Sequence, residues 1–357
     1  MDRRVFLESV AGAAMAGAGS LAGSAVAGDK GAQLRQHARK LHRDSIVIVI
    51  HDHNPVAQDI DKMLAGGVTC KVFQTGVDVD IGRDYVASGK QRDGWSRRSL
   101  AAIDEVEQLV KTDPRLVIVR TAGEIEKAKH DGKVAVMLGV EGAKLLDGKV
   151  EMVQKFYDRG LRELQLRWGV PNQIVEEQDL TPFGRDVVRE CERLGVIIGL
   201  THMPTPAFHQ VIDMIQNPPI VCHGAAAKAP ERRGDHLGDR QLKALASRRG
   251  VLGIHFYSSY LGPRPNVDRV VEQVDYIAQV AGIDSVALGV DFFPSDGAWG
   301  EFQRAQETFR EISWAVPDLS QLERVTEALV ANNLPDGDIK KVLGGNFLRV
   351  CREVFGS

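Results

Sequence analysis

Eight short apolar runs recur along this chain, and helical stretches separate them. In chain order the runs are Ile46–Ile50, Val68–Phe73, Val134–Val140, Leu161–Leu166, Val196–Leu200, Pro219–Cys222, Val251–Phe256 and Ser285–Val290. Strand–helix alternation repeated eight times is typical of parallel strands that close into a barrel. The pattern therefore predicts an α/β fold, a (β/α)8 TIM-like barrel, with a doubly wound open sheet as the alternative.

The composition narrows the class of protein. The chain has 45 Lys and Arg against 48 Asp and Glu, a net charge of -3, which argues against a nucleic-acid partner. Its four cysteines lie far apart without a C-x-x-C pair, so neither a disulfide framework nor a zinc ribbon is expected. Beyond the N-terminal segment there is no apolar run of about 18 residues, and we expect no stable membrane anchor.

Residues 1–27 have the pattern of an export signal. Arg3-Arg4 and Phe6-Leu7 precede a long Ala/Gly run that ends in the small-x-small stretch Ala25-Val26-Ala27. The arginine pair resembles the signal of the bacterial twin-arginine route. We therefore expect the twin-arginine export machinery as a partner and a periplasmic or secreted location. Residues 28–357 are expected to form a single (β/α)8 metallohydrolase domain.

Metal-ligating residue types follow five of the eight predicted strands. They are His51, His53, Glu141, His202, His223 and Asp291. The carboxyl ends of barrel strands meet on one face, so these side chains are expected to converge there. Imidazoles and carboxylates are the ligands of zinc-like divalent ions, and a shared carboxylate such as Glu141 can bridge two of them. His255 lies inside the seventh run and its role stays open, while Cys222 is interpreted as a small buried residue.

Several longer stretches resemble the renal (membrane) dipeptidase family of zinc peptidases. They are GVEGAKLL around Glu141, DLTPFGRDVVRECERLGVIIGLTH up to His202, PPIVCHGAAA around His223, HFYSSYL from His255, VALGVDF around Asp291 and the tail GGNFLRV. The resemblance extends over roughly Asp44 to Phe355. It implies a distorted (β/α)8 barrel with two Zn²⁺ ions per chain and cleavage of dipeptides.

The resemblance also implies roles for individual residues. Glu141 matches the glutamate that bridges the two ions, and His202 and His223 match the ligands of the second ion. Asp291 matches the aspartate near the first ion, which handles the proton of a hydroxide bridging the metals. By the same resemblance Glu141 and Asp291 are the catalytic residues.

Two further positions match the substrate pocket of that family. Arg233 resembles the arginine that binds the substrate carboxylate, and Tyr257 resembles a tyrosine that lines the pocket. About two extra residues follow Arg233 and depart from the family pattern. In the stretch LQLRW the family reads LTLTH, so Trp168 replaces a histidine that polarises the scissile carbonyl.

The first strand end departs from the family as well. The family has His-x-Asp within Asp-Gly-His-Asn-Asp, and this chain reads His51-Asp52-His53-Asn54-Pro55. Matching His-Asn places the family histidine on His53 and its aspartate on Pro55, whereas matching His-x-Asp uses His51 and places His53 at the carboxylate position. Both alignments keep His53 in the site, and His51 and His53 form the H-x-H pair of the wider amidohydrolase pattern.

These observations predict an exported metal-dependent dipeptidase. Two alternatives stay open: an amidohydrolase-like enzyme acting on another amide or a lactone, and a metal-bearing binding protein without turnover. The expected partner at the site is a dipeptide or another small molecule. The oligomeric state is left open, with a homodimer as one alternative.

Overall fold

Eight parallel strands form the centre of the molecule in this computed structural model, which describes residues 20–78, 94–168, 172–226, 236–296, 300, 301, 304 and 312–356. The strands are β1 Ile48–Asp52, β2 Cys70–Val77, β3 Val134–Glu141, β4 Glu163–Gln165, β5 Ile197–Gly199, β6 Ile220–Ala226, β7 Val251–Ile254 and β8 Val286–Leu288. Each pairs with the next, and β8 pairs with β1 through Val49 opposite Leu288. The sheet is therefore a closed barrel, and the predicted (β/α)8 fold is confirmed.

Helices surround the barrel and connect its strands. Those with described bounds are α1 Ser20–Asp44, α2 Val56–Ala65, α3 Trp95–Thr112, α4 Ala122–His130, α5 Glu151–Asp158, α6 Pro182–Leu194, α7 Thr205–Met214, α8 Asp239–Ser247, α9 Ser258–Leu261, α10 Val267–Ala281, α11 Glu323–Ala331, α12 Asp336–Lys340 and α13 Asn346–Phe355. Within the described residues, no helix has the length and apolar character that crossing a bilayer would need.

Short strands lie outside the barrel. Leu116–Ile118 pairs with β3, and His236–Leu237 pairs with the end of β6. A small antiparallel hairpin joins Val175–Glu176 to Asp179–Leu180 between β4 and α6. These additions extend the segments around the barrel and leave the closed ring of eight strands intact.

Alternate residues along each strand enter two different cores. Ile48 and Ile50 of β1 join the cluster that contains Phe347 of α13, whereas Val49 joins the cluster beneath the surrounding helices. This period of two is what a sheet covered on both faces requires. Polar residues such as Glu163 and Gln165 are nevertheless fully buried on β4, although burial of a polar group is costly unless it has a partner.

The predicted export signal is not tested by this fold. Residues 1–19 lie outside the described residues, and the predicted processing point after Ala27 falls within α1. The boundary between signal and domain therefore stays a prediction.

Candidate metal centre

The carboxyl ends of five barrel strands bring all six predicted ligands together. These residues are His51, His53, Glu141, His202, His223 and Asp291. His51 and His223 lie inside β1 and β6, Glu141 is the last residue of β3, and the other three follow β1, β5 and β8. The site therefore occupies the face of the barrel where TIM-barrel enzymes place their chemistry.

The Glu141 carboxylate lies at the centre of the cluster. Its Oε2 atom is 3.0 Å from Nε2 of His53, and its Oε1 atom is 3.1 Å from Nε2 of His202. Oε1 also lies 3.6 Å from Nε2 of His223 and 3.9 Å from Nε2 of His51. The shortest contact of Oε2 is thus with the pair His51 and His53, and the shortest contact of Oε1 is with the pair His202 and His223.

Two ligand groups share that carboxylate. In the first, the Nε2 atoms of His51 and His53 are 3.2 Å apart, and Oδ1 of Asp291 lies 3.2 Å and 3.3 Å from them. In the second, the Nε2 atoms of His202 and His223 are 3.2 Å apart. Both histidine pairs form groups with Glu141 whose ligand atoms lie within 4.8 Å of one another.

The donor set fits divalent cations. Imidazole nitrogens approach one another closely in each pair, an arrangement that a proton or a cation between them makes favourable. Glu141 is only 1% exposed, so water cannot solvate its charge and a cation has to balance it. Imidazole and carboxylate together are typical ligands of zinc and of related transition metals.

Two of these residues have an unusual backbone conformation. His202 has φ 62° and Asp291 has φ 56°, both in the left-handed region. Residues other than glycine rarely adopt it, and such strain concentrates at functional sites where the surrounding fold enforces it. Each follows a barrel strand, and both side chains belong to the ligand groups at the mouth of the barrel.

Register shifts deliver the remaining histidines. The pairing of β1 with β2 is irregular between Val49 and Asp52, and that of β6 with β7 is irregular between Val221 and Gly224. Each irregular segment contains one site histidine. Bulges of this kind redirect side chains beside active sites. Here they interrupt the strict alternation of side chains, which would otherwise point His51 and His223 to the outer face of the barrel.

Gly142 follows Glu141 for a steric reason. Its φ is 110°, and a Cβ atom there would lie 2.2 Å from Cγ of Asp78. The Asp78 carboxylate accepts hydrogen bonds from the backbone N–H groups of Ala143 and Lys144, at 3.1 Å and 2.7 Å. The turn after β3 is thereby closed tightly against β2, which holds Glu141 at the barrel mouth.

The charges of the cluster shift one another's protonation. Burial alone would raise the pKa of Glu141 and Asp291, but contacts with imidazoles, foremost His202 and His223 respectively, hold both values well below their usual ranges. Burial would lower the pKa of His53, yet its contacts with Asp291 and Glu141 raise it to about 10. Without metal the carboxylates therefore stay ionised and keep a proton on His53, which an incoming cation would displace.

A buried ion cluster supports the H-x-H pair from behind. Nζ of Lys71 lies 2.6 Å from Oδ1 of Asp52 and 2.7 Å from Oδ2 of Asp59, and all three side chains have no exposed surface. Asp52 stands between His51 and His53, so this cluster anchors the segment that carries both. Removing one partner would leave an uncompensated buried charge at the edge of the site.

His255 belongs to the site, although its place inside the seventh apolar run had left its role open. Its Nε2 atom is 2.7 Å from Oδ2 of Asp291, and the backbone N–H of Tyr257 donates to its Nδ1 atom at 3.4 Å. With Nδ1 accepting, the ring proton lies on Nε2, the nitrogen that is in contact with Asp291. His255 also forms a potential ligand group with His223 and Asp291, but this tautomer favours the role of a hydrogen-bond donor.

The predicted substrate residues are placed unequally. Tyr257 is 7% exposed, and its ring centroid lies 4.1 Å from that of His255 and 5.4 Å from that of Trp314, so aromatic side chains flank the site beside His255. Trp168 is half-buried, with its ring 6.2 Å from that of His202, so it does border the site. Arg233 lies outside the described residues, and its role stays a prediction.

Sequence reasoning did not assign a role to Gln165. It is fully buried on β4, and its Nε2 donates to Oε1 of Glu141 at 3.2 Å. Its only signal in the sequence is the stretch LQLRW, where the related family has threonine at this position.

Cys222, interpreted from the sequence as a small buried residue, is fully buried, and burial raises the pKa of its thiol well above the usual range.

A parallel (β/α)8 barrel with an imidazole–carboxylate cluster at the strand ends defines the class of metallohydrolase barrels. Within this class, the profile of the family described as membrane dipeptidase, peptidase family M19, matches residues 32–355. The chain belongs to this family. The predicted resemblance to the membrane dipeptidase family is thereby confirmed.

Individual relatives agree with this assignment. The chain is 28% identical over 273 residues to the dipeptidase tcpJ of Claviceps purpurea; the match covers 72% of this chain and 60% of that protein. Its fold is similar to an amidohydrolase from Pseudomonas aeruginosa, with a TM-score of 0.80, 23% identity and coverage of 90% and 99% of the two chains. A metallo peptidase from Rhodobacter sphaeroides, solved with a phosphinate mimic of the dipeptide L-Ala-D-Ala, has a TM-score of 0.73, 21% identity and coverage of 87% and 99%.

Proposed function

We propose that this protein is an exported dipeptidase that uses two zinc ions per chain. The observation that carries the proposal is the position of Glu141, whose carboxylate oxygens lie 3.0 Å and 3.1 Å from histidines of two separate groups. A carboxylate so placed can serve two cations at once. The ligands would be His51, His53 and Asp291 on one side and His202 and His223 on the other, with Glu141 shared.

Two divalent ions at this position would supply Lewis acidity toward the scissile carbonyl and lower the pKa of a water molecule. The chain's own residues complete the chemistry. Asp291 has an ionised carboxylate at the edge of the first group, and it is placed to accept a proton at Oδ1. His255 contacts the other oxygen, Oδ2, so Oδ1 keeps a defined direction toward the site.

Binding of a dipeptide requires recognition of its terminal carboxylate and its side chains. We assign the carboxylate to Arg233, because a guanidinium can grip both oxygens with parallel hydrogen bonds. The aromatic side chains of Tyr257 and Trp314 line one flank of the metal-binding cluster and would contact an apolar part of the substrate. Trp168 would form the flank beside His202.

A second candidate function is hydrolysis of another amide or of a lactone. It is favoured by one observation: Trp168 borders the site at the position where the related family has a carbonyl-polarising histidine. An indole offers one N–H donor and does not titrate, so it stabilises a developing oxyanion less well than an imidazole. A substrate with a more electrophilic carbonyl depends less on that help.

A hydrolysis screen decides between these functions. The mature protein is stripped of metal with a chelator, reloaded with zinc, and assayed on L,L-, L,D- and D,D-dipeptides beside simple lactones. We expect zinc-dependent release of free amino acids from at least one dipeptide class, and loss of this activity in Glu141→Gln. Turnover of lactones alone would favour the second candidate. Two bound ions without turnover on any substrate would make the protein a metal-bearing binding protein.

Export is part of the proposal and rests on residues 1–27 of the sequence. The twin-arginine route carries folded proteins, so an enzyme that acquires its metal before export fits this route. The proposed location is the periplasm or the outside of the cell. Fractionation of cells that express the full chain tests this separately from the activity.

A further inference from the structure

A chain of buried hydrogen bonds links His223 to Glu141 beneath the metal-binding cluster. Nδ1 of His223 lies 3.4 Å from Sγ of Cys222, and Sγ lies 2.5 Å from Oε1 of Gln165. Nε2 of Gln165 in turn lies 3.2 Å from Oε1 of Glu141. The four side chains come from β6, β4 and β3, and none of them is more than 2% exposed.

The direction of each hydrogen bond follows from the donors that are present. The amide of Gln165 donates one N–H to the backbone oxygen of Arg167, at 2.9 Å, and the other to Glu141. Its Oε1 atom can only accept, so the single S–H of Cys222 points to Gln165. The sulfur is then left as an acceptor for His223, and the proton of that ring must lie on Nδ1.

Thr201 is compatible with this order. Its hydroxyl lies 3.2 Å from Sγ of Cys222 and 3.3 Å from the backbone oxygen of His223, and it accepts from the backbone N–H of His223 at 3.4 Å. When the Thr201 hydroxyl donates to the backbone oxygen of His223, it forms no hydrogen bond that involves the thiol proton of Cys222. If it donates to the sulfur instead, the thiol proton still points to Gln165.

We infer that Cys222 and Gln165 are positioning residues for the metal centre: they hold His223 in the tautomer that presents the Nε2 lone pair, and they orient the Glu141 carboxylate. The inference rests on the proposed function, because it assigns these residues to a site that binds metal through His223 and Glu141. Metal-binding imidazoles generally donate their second ring nitrogen to a nearby acceptor, and removal of that acceptor costs about 10–100-fold in affinity. Here the acceptor is a thiol, and the same relay reaches the shared carboxylate.

The sequence explains why such a relay exists in this chain. Gln165 stands where the related family reads threonine, and its longer side chain spans from β4 to both Glu141 and Cys222. A register shift in β6 allows the neighbouring residues Cys222 and His223 both to face the cluster. Without that irregularity, consecutive side chains would point to opposite faces of the sheet.

The test compares four variants by metal binding rather than by activity. Cys222→Ala and Gln165→Met break the relay at different points. Alanine is smaller than cysteine, and methionine is similar in volume to glutamine, so neither variant overpacks the site. Cys222→Ser retains a hydroxyl that can accept from His223 and donate to Gln165. Cys191→Ala removes an equally buried thiol on α6 that belongs to none of the potential ligand groups, and it serves as the matched control.

Each metal-free protein is titrated with zinc against a chromophoric chelator and with Co²⁺ followed by visible absorption, and its melting temperature is recorded. We expect about a 10-fold or greater loss of affinity and altered cobalt bands in Cys222→Ala and Gln165→Met. Cys222→Ser should lie nearer to the wild type, and Cys191→Ala should change only the melting temperature.

Wild-type affinity and spectra in both relay variants would overturn the inference while leaving the dipeptidase proposal intact. A sulfur-to-cobalt charge-transfer band in the wild type would also overturn it, because Cys222 would then be a ligand in its own right. A wild-type protein that binds neither zinc nor cobalt would overturn the metal-centre proposal itself, and this inference with it.

Discussion

Nε2 of His255 lies 2.7 Å from Oδ2 of Asp291, and the two residues lie just after the adjacent barrel strands β7 and β8. The contact leaves Oδ1 of Asp291 as the oxygen that faces the histidines of the first ligand group. A buried carboxylate with one oxygen in so short a contact with an imidazole has little freedom to rotate. His255 thus sets the direction in which Asp291 can accept a proton.

This relationship predicts a loss of turnover without a loss of metal. His255→Met removes the donor, and we expect kcat/KM to fall by about 10–100-fold, the range of a hydrogen bond to a charged group. His255→Gln keeps a donor near the position of Nε2 and should recover part of the rate. Metal analysis of both variants should still give two ions per chain, and one ion lost in His255→Met would show instead that His255 is a ligand.

Removal of the shared carboxylate should empty the site. Glu141→Gln removes the charge of the carboxylate that faces both ligand sets, and we expect metal content after zinc incubation and dialysis to fall below one ion per chain. Glu163→Gln is the matched control, since Glu163 is equally buried on the neighbouring strand but belongs to none of the potential ligand groups of the described residues. Equal metal content in the two variants would contradict the central role of Glu141.

Glu163 should make stability depend on pH. Burial raises its pKa from 4.5 to about 8, and the charge of Glu141 adds to the rise. Between these values the folded state keeps a proton that the unfolded state has lost. Its contribution to stability is therefore full below about pH 4.5 and is lost as the pH rises to and through about 8.

The variant Glu163→Gln isolates this effect. We expect the unfolding free energy of metal-free wild type to fall, relative to that of the variant, by on the order of 2–4 kcal/mol between pH 5 and pH 8. Urea unfolding of both proteins at several pH values gives the difference, in which the other titrating groups cancel. A constant difference across this range would show that Glu163 ionises normally.

Arg233 should matter only for substrates with a free carboxylate. Arg233→Lys replaces a two-pronged hydrogen-bonding group by a point charge, and we expect kcat/KM for such dipeptides to fall by roughly 1.5–3 kcal/mol of transition-state stabilisation. Amidated or esterified substrates should be unaffected. Arg232→Lys is the control, and a larger effect in that variant would transfer the role to the neighbouring arginine.

Export should depend on the paired arginines of the N-terminal segment. Arg3→Lys together with Arg4→Lys keeps the charge but changes the address that the twin-arginine machinery reads. The precursor should then accumulate in the cytoplasm, as followed by immunoblotting of cell fractions. Undiminished periplasmic protein in the double variant would assign the segment to another route.

Much of the fold and the metal cluster could be predicted from the sequence, because both depend on regular patterns. Apolar runs at strand period, spaced by helical segments, require a covered parallel sheet, and eight of them close a barrel. Once the strand ends share one face, residues such as Glu141 and Asp291 must approach one another. The family followed from longer stretches, DLTPFGRDVV and GGNFLRV among them.

The supporting contacts could not be predicted, because they depend on where the regular pattern fails. The register shift beside His223 turns two consecutive side chains toward the cluster, and no periodicity in the sequence marks it. Gln165 and Cys222 are distant in the sequence, yet Sγ of Cys222 lies 2.5 Å from Oε1 of Gln165. They meet because β4 and β6 flank β5 within the closed barrel.

The same limit applies to the buried charges. From the sequence, Lys71 is one basic residue in an apolar run, and nothing there pairs it with a carboxylate. Closure of β2 against β1, with α2 above them, excludes water and leaves Asp52 and Asp59 as its partners. The sequence by itself thus determined which ligand types meet at the barrel mouth. Tertiary packing decided which neighbours orient them, since those contacts arise from desolvation and strand register rather than from local sequence.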